Sequence, residues 1–427
     1  MDIKTKLAIY FAAATTALLS SPGLHAQKIG QDLSSRIELP EQFQVKPLYK
    51  ADTLAILVCG DMMMHQAQLG NAVRADGSFD FSSYFSLVSD KISQADIAIC
   101  NMEVTLAGEP FTGYPCFSAP EEFAEEVAKA GFDIFLCANN HIFDRGAEGA
   151  QKTLEQYRKL KDKYGTAYTG LASDGEELAG TTPLILVRKG IRLAFMNFTY
   201  GTNSSGGSLF PTVNRLSDKE LLETSLSKAV EADFTLMLPH WGEEYILTHS
   251  KEQEKMAREM IESGADMIIG SHPHVVQDST VIDGVHVLYS LGNMVSNMSA
   301  PNTQLELMAT ISLIRDCNGD ISVGKPVLTW LWCSRPGGYS ISDYVVVPVE
   351  DFIDRRDEWA GKWDYDKMVG TYERIVPEHR ESRKYKYGKE KHQTRSYRPG
   401  RNIWGCQQES GSSVHMVSEP EGHCKGK

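Results

Sequence analysis

Two imidazoles stand two residues apart in Gly270-Ser271-His272-Pro273-His274-Val275. They follow the apolar run 267–269, which reads as a buried strand, so the corner opens where a strand ends. Strand alternation would send both rings to the same side of the chain. Neutral imidazole is the commonest protein ligand for transition metals. The corner is therefore a candidate metal clamp, and the ends of the other strands are where its partners should lie.

In open α/β sheets, ligands bind outside the carboxyl ends of strands. Four more strand-like runs end in ligand-type residues. Run 54–59 ends in Gly60-Asp61, and run 96–100 in Asn101-Met102-Glu103. Run 134–138 ends in Asn139-Asn140-His141, with Asp144 and Gly146 beyond, and run 234–238 in Pro239-His240-Trp241-Gly242. All five ends are expected along one edge of a parallel sheet. Together they offer Asp61, Glu103, Asn140, His141, His240, His272 and His274. A divalent ion takes about four to six ligands, and two ions can share a carboxylate, so the inventory serves one ion or two. Mixed nitrogen and oxygen ligands suit Mn, Zn or Fe better than Ca or Mg. His65, four residues past Asp61, is a possible extra ligand if the chain turns helical there. Taken singly, each residue has a plainer explanation. Asp61 would cap a helix, Asn139 and Asn140 would form a turn, Glu103 would pair with a lysine, and each histidine would be a satisfied polar group. Their coincidence at corresponding strand ends is what argues for a site.

The elements that must position these residues alternate from about 52 to about 300. Helical spacing or capping signals mark 81–92, 120–130, 147–161, 217–232 (capped by Ser217) and 250–263. Runs 184–188 and 191–197 flank Lys189-Gly190 as a hairpin, and 285–289 is a further strand. Strands joined by helices favour a largely parallel central sheet. Runs 305–314 and 321–332, joined through Asn318-Gly319, suggest a β-rich addition forming a second sheet packed on the first. Residues 349–380 read as an amphipathic helical appendage, with Trp359 and Trp363 as docking aromatics.

The chain has 427 residues, 42% of them hydrophobic, and a net charge of -13, enough for a sizeable core without help from metal or disulfides. From 380 to 401 there are nine Lys/Arg against two Asp/Glu, so the acidic charge lies in the body of the chain. That balance argues against nucleic acid as a partner. The basic segment 381–427 reads as a disordered tail. Lys4 and Lys6 precede an apolar stretch, 7–19, then Ser20-Ser21-Pro22-Gly23 and Ala26. This reads as an export signal over 1–26, followed by a linker over 27–50. An exported location, periplasmic or at the cell surface, is expected; Leu24 is not the small residue a cleavage site prefers, so an uncleaved membrane anchor stays open. The eight cysteines are scattered or sit in apolar runs, which speaks against a disulfide framework and against a cysteine zinc site.

The motifs, taken in order, resemble the CapA family, associated with poly-γ-glutamate capsule synthesis. The matching segments are Gly60-Asp61-Met62-Met63-Met64, Asn101-Met102-Glu103, Asn139-Asn140-His141 with Asp144 and Gly146, and His240-Trp241-Gly242-Glu243-Glu244-Tyr245. Gly270 to Val275 and Tyr289-Ser290-Leu291-Gly292-Asn293 complete the set, within a CapA-like domain spanning 51–348. The family is similar to calcineurin-like metallophosphoesterases. The resemblance implies an α/β fold, a metallophosphatase-like αββα sandwich with two mixed β-sheets. It also implies Asp61 and His274 on one metal, Asn140, His240 and His272 on another, and Glu103 between them. His141, oriented by Asp144, would assist the leaving group, and Trp241, Glu244, Tyr245 and Asn293 would line the substrate side. Two positions depart from the phosphoesterase pattern: Met63 replaces a metal-binding histidine, and Glu103 replaces a bridging aspartate.

Three functions follow as expectations. The first is an exported, metal-dependent hydrolase or transferase acting on an anionic cell-surface polymer. The second is a non-catalytic surface factor that binds such a polymer or its membrane synthase. The third is an extracellular metallophosphoesterase with a small substrate.

Overall fold

Alternate side chains of the first strand feed two different cores. The structure is a computed structural model and describes residues 51–207 and 209–376. The expected export signal, linker and basic tail lie outside those residues. In β1 (Asp52–Met62), Leu54, Ile56 and Val58 pack into one buried cluster, while Leu57 and Cys59 pack into another. This is the period-two alternation of a strand buried on both faces.

The remaining strands are β2 (Ile97–Met102), β3 (Ile134–Leu136), β4 (Ala167–Thr169), β5 (Leu171–Ala172), β6 (Leu184–Arg188), β7 (Ile191–Thr199) and β8 (Thr212–Val213). They continue as β9 (Phe234–His240), β10 (Met267–Ile269), β11 (Ser279–Ile282), β12 (Val285–Leu288), β13 (Leu305–Arg315), β14 (Ile321–Val323), β15 (Val327–Ser334) and β16 (Val345–Pro348). One sheet runs β16-β15-β13-β1-β2-β3-β4, with β14 on β13; the other runs β11-β12-β10-β9-β7-β6. Strands β1 to β4 are mutually parallel, as are β7, β9, β10 and β12. Antiparallel strands complete each sheet: β13, β15 and β16 in the first, β6 and β11 in the second.

The cluster between the sheets joins Ile56 and Ile99 from one to Phe195, Leu236 and Ile269 from the other. Helices Glu121–Lys129 and Gly146–Tyr164 cover the outer face of the first sheet through Phe123, Val127, Leu154 and Tyr157. Helices Lys219–Ala229 and Lys251–Glu262 cover the second through Leu222, Leu226, Ala257 and Met260. The result is the expected αββα sandwich with two mixed sheets. Helix ends follow local rules: Ser250 and Gln253 form a reciprocal capping box, and Gly165 closes Gly146–Tyr164 in the left-handed conformation.

Four expectations need correction. The five site-bearing strand ends do not share one sheet edge: β1, β2 and β3 belong to the first sheet, β9 and β10 to the second. The late β-rich segment builds no separate sheet. It pairs through β13 with β1, because β1 has an open edge whose apolar faces only another strand can extend. Helical spacing over 81–92 yields a helix only at Ser89–Ser93, since turns place Phe81, Tyr84, Phe85 and Val88 in the core equally well. Asp218, not Ser217, caps Lys219–Ala229, accepting from the Leu221 amide at 3.0 Å.

The segment expected as a helical appendage is, over its described part, built into the inter-sheet core. Trp359, Tyr365, Met368 and Tyr372 join the same cluster as β1 and β13. Trp359 is buried, whereas Trp363 stays half exposed and donates to the Gly337 carbonyl. Among the described residues, no helix is long and apolar enough to cross a membrane.

Candidate metal centre

Asp61 reaches the site through an irregularity in β1. The pairing of β1 with β2 shifts register between Cys59 and Asp61, and the extra residue is Gly60. A bulge of this kind re-aims the side chain that follows it. Gly60 has no substitute, because an added Cβ would lie 1.9 Å from the Gly292 carbonyl oxygen. Its amide donates to the buried carboxyl of Glu306 at 2.8 Å, and the next amide, of Asp61, donates to Gly292 at 2.9 Å. Asn101, at the end of β2, then donates to Asp61 Oδ1 at 2.7 Å.

Glu103 lies at the centre. It is fully buried, and neither of its oxygens accepts an N–H or a hydroxyl among the described residues. Three imidazole Nε2 atoms face its Oε1: His274 at 3.7 Å, His240 at 3.8 Å and His141 at 4.0 Å. Burial, reinforced by the neighbouring Asp61 and Glu244 carboxyls, pushes Glu103 well above the usual carboxyl range. A buried carboxylate without a donor or cation is unfavourable by several kcal/mol, on the order of the desolvation of an unpaired ion.

The histidines are prepared as neutral donors. Burial, then His272 and His274, lowers His240 well below the ordinary imidazole range. Burial, then His274 and His141, lowers His272 to about 3. Both neighbours of His274 Nδ1 are acceptors, Asn293 Oδ1 at 3.0 Å and Asp61 Oδ2 at 3.3 Å. The proton is therefore assigned to Nδ1, which leaves the Nε2 lone pair facing Glu103. His141 is set the same way by Asp144 Oδ2, 2.8 Å from Nδ1, and Asp144 also accepts from the Phe117 amide. His240 Nε2 faces Asn140 Oδ1 at 2.9 Å, and its Nδ1 lies 3.0 Å from Ser271 Oγ.

The His-Pro-His corner is not an extended strand end. His272 has φ of 100° and His274 of 59°, both in the left-handed region that non-glycine residues avoid. The rings lie 5.8 Å apart, brought together by a strained loop rather than by strand alternation. Strain of this kind is on the order of 1–3 kcal/mol per residue, and it clusters at functional sites.

The donor atoms fall into two buried groups that share Glu103. One is Asp61, Glu103 and His274; the other is Glu103, His240 and His272; within each, one atom per residue lies within 4.8 Å of the others. A third group, Glu244, His272 and His274, has its carboxylate exposed. The donorless carboxylate shared by buried imidazoles fits a divalent metal ion.

Above the cluster opens a cavity of about 720 Å³, lined by His141, Asp144, His274, Glu244, Tyr245 and His65 among others. Among the described residues, no lysine or arginine lines it. The substrate-side expectations divide here. Glu244 and Tyr245 face the cavity; Trp241 and Asn293 do not. Trp241 is fully buried, packs on Tyr289 and donates to its carbonyl at 3.0 Å, because the missing side chain at Gly270 leaves room for its indole. Asn293 is buried behind His274. His65 caps the helix Gln66–Ala72 and belongs to none of the three donor groups. Met63 is buried and presents a thioether to the cavity wall.

Sequence reading missed Asn101, Glu306 and Tyr200. The ring of Tyr200 lies 4.6 Å from that of His272 and stacks at 6.3 Å from His240. It directly follows β7, so the strand-end rule would have found it had β7 been read as a sheet strand rather than only as half of a hairpin. Asn101 lies within Asn101-Met102-Glu103, but its residue type gives no sign that it orients Asp61.

A profile of the family described as "Bacterial capsule synthesis protein PGA_cap" matches residues 55–298. The chain is similar to the "Capsule biosynthesis protein CapA" of Bacillus anthracis, 30% identical over 269 residues, which cover 59% of this chain and 62% of that protein's length. It is also similar to the "PGA biosynthesis protein CapA" of Bacillus subtilis (strain 168), 26% identical over 289 residues, covering 64% of this chain and 72% of the other. Among solved structures, the NAD nucleotidase of Haemophilus influenzae superposes with a TM-score of 0.40 at 13% identity, covering 79% of this chain and 68% of the other. A purple acid phosphatase from yellow lupin seeds does so with a TM-score of 0.25 at 12% identity, covering 65% and 54%. Those superpositions are too loose to bear on activity.

Proposed function

Because the chain belongs to the bacterial capsule synthesis family PGA_cap, we propose that it builds or processes a capsule-type cell-surface polymer through a metal-dependent hydrolase or transferase site. The polymer is of the poly-γ-glutamate type, and the protein works outside the cytoplasm. What the names of its two relatives say of capsule and PGA biosynthesis supports the polymer class. The observation that carries the metal site is Glu103: a fully buried carboxyl without a hydrogen-bond donor, common to two groups of buried histidine and carboxyl donors.

Asp61, Glu103, His240, His272 and His274 would hold the metal, with Asn140 adjoining His240. Bound there, a divalent ion supplies Lewis acidity toward an acyl or phosphoryl oxygen. The chain supplies the rest. Asp144 fixes the His141 ring with its proton on Nδ1, so Nε2 faces the site. Once protonated, Nε2 can deliver that proton to a departing group, with the Asp144 carboxylate stabilising the imidazolium. Phe117 packs edge-on against the His141 ring, with centroids 4.6 Å apart, and helps fix its orientation. Asn101 and Asn293 hold Asp61 and His274 in place. The substrate would enter the cavity beside Glu244 and Tyr245.

The test is turnover by the metal-loaded full chain, on poly-γ-glutamate followed by chain length and on a model phosphodiester. Chain-length change or ester cleavage that His141→Ala abolishes supports the reading. Binding of the polymer without turnover favours a second reading, a non-catalytic factor that holds the polymer or its membrane synthase. Met63 is the observation behind that alternative: a buried thioether lines the cavity where the resemblance to phosphoesterases implies a metal-binding histidine.

A further inference from the structure

We propose that Glu244 is itself a metal ligand, closing the centre from the solvent side by joining His272 and His274. The inference rests on the metal reading above and extends it to an exposed residue. One donor atom each of Glu244, His272 and His274 lies within 4.8 Å of the others. The two histidines are buried and also belong to the two inner groups, one to each. Glu244 thus lines the cavity and shares one histidine with each inner group.

Three further observations point to a bound cation at this place. His272 is 4% exposed, and its Nδ1 has no hydrogen-bond partner among the described residues. The backbone around Glu244 is built to hold it against the corner. Gly242 has φ of 94°, and a Cβ there would lie 2.6 Å from the Gln253 side chain; Tyr245 has φ of 67°, and its amide donates to the Pro273 carbonyl at 2.8 Å. Three strained non-glycine residues, Tyr245, His272 and His274, thus surround one carboxylate. Charge agrees. Two divalent ions would exceed what the carboxylates of Asp61 and Glu103 can balance, and a third carboxylate narrows the excess. Without a cation, Glu244 would add a third carboxylate to those of Asp61 and Glu103, and among the described residues no lysine or arginine lines the cavity.

A ligand on the open side has a functional consequence. Glu244 occupies the approach that a substrate oxygen must take, so substrate binding would displace or share it. That differs from a plain substrate contact, which leaves metal binding untouched.

The experiment titrates the metal-free full chain with Mn(II) alone, without substrate, by calorimetry and electron paramagnetic resonance. Wild type, Glu244→Gln and Glu244→Asp are compared. Glu244→Gln is expected to lose one ion from the stoichiometry, or at least about tenfold in affinity, the lower bound for losing even a supporting contact at a metal site. Its Mn(II) spectrum should change, and Glu244→Asp should recover part of the affinity. Unchanged thermal melting of the metal-free variants would show that the fold is intact. Wild-type stoichiometry, affinity and spectrum in Glu244→Gln would overturn the proposal while leaving the buried centre standing. Absence of Mn(II) uptake by wild type would overturn both.

Discussion

Asn293 grips His274 at two points: its Oδ1 accepts from the ring Nδ1 at 3.0 Å, and its amide donates to the carbonyl of the same residue at 3.3 Å. The first contact fixes the tautomer, and the second helps hold His274 at its positive φ. Asn293→Ala is therefore expected to weaken metal binding by about 10–100-fold without removing a ligand. Titration against a competing chelator reads this directly. An affinity equal to wild type would show that Asp61 alone orients the ring.

His240→Ala and His272→Ala should each lower the bound metal and leave the sandwich folded. His240 ends β9 and His272 lies in the loop after β10, so neither ring belongs to the middle of a strand, and far-ultraviolet circular dichroism should be preserved while metal content falls. Loss of the folded spectrum in both variants would mean that these rings serve packing first.

His65 makes the metal-free protein sensitive to acid. Burial, partly opposed by the Gln68 side chain, lowers its imidazole to about 4. A depressed histidine stabilises the fold above its unfolded value of about 6.5, and that contribution is lost as pH falls from about 6.5 toward 4. The limit is about 3 kcal/mol. Denaturant unfolding at stepped pH should show His65→Gln with a shallower acid loss than wild type; parallel curves would assign the acid sensitivity elsewhere.

Gly60→Ala should be among the most damaging single changes. Its Cβ would meet the Gly292 carbonyl at 1.9 Å, and both partners are backbone held by neighbouring strands. More than about 3 kcal/mol of destabilisation is expected, beyond ordinary overpacking. A melting temperature near wild type would mean that the bulge can relax.

Much of the site was legible because strand ends carry it. Asp61, Glu103, His141, His240, His272 and His274 each follow an apolar run, and they do converge on one cluster. Sheet membership was not legible: apolar runs say that strands are buried, not which strand pairs with which, so two converging sheets read as one. The left-handed backbone at His272 and His274 leaves no mark in residue type. Trp241 looked functional for its size and setting, yet Gly270 gives its indole a place in the core, a pairing visible only in three dimensions. Amphipathic spacing over 362–375 announced a buried face without naming the sheets it would cover.

The central claim is that Glu103 and its histidine neighbours form a metal centre, and metal content tests it most directly. Wild type and Glu103→Gln, each purified, loaded with Mn(II) or Zn(II) and dialysed, should be compared by elemental analysis. At least one tightly held ion per wild-type chain is expected, with a clear loss in Glu103→Gln. No retained ion in wild type under metal-replete conditions, or equal retention in both proteins, would contradict the account.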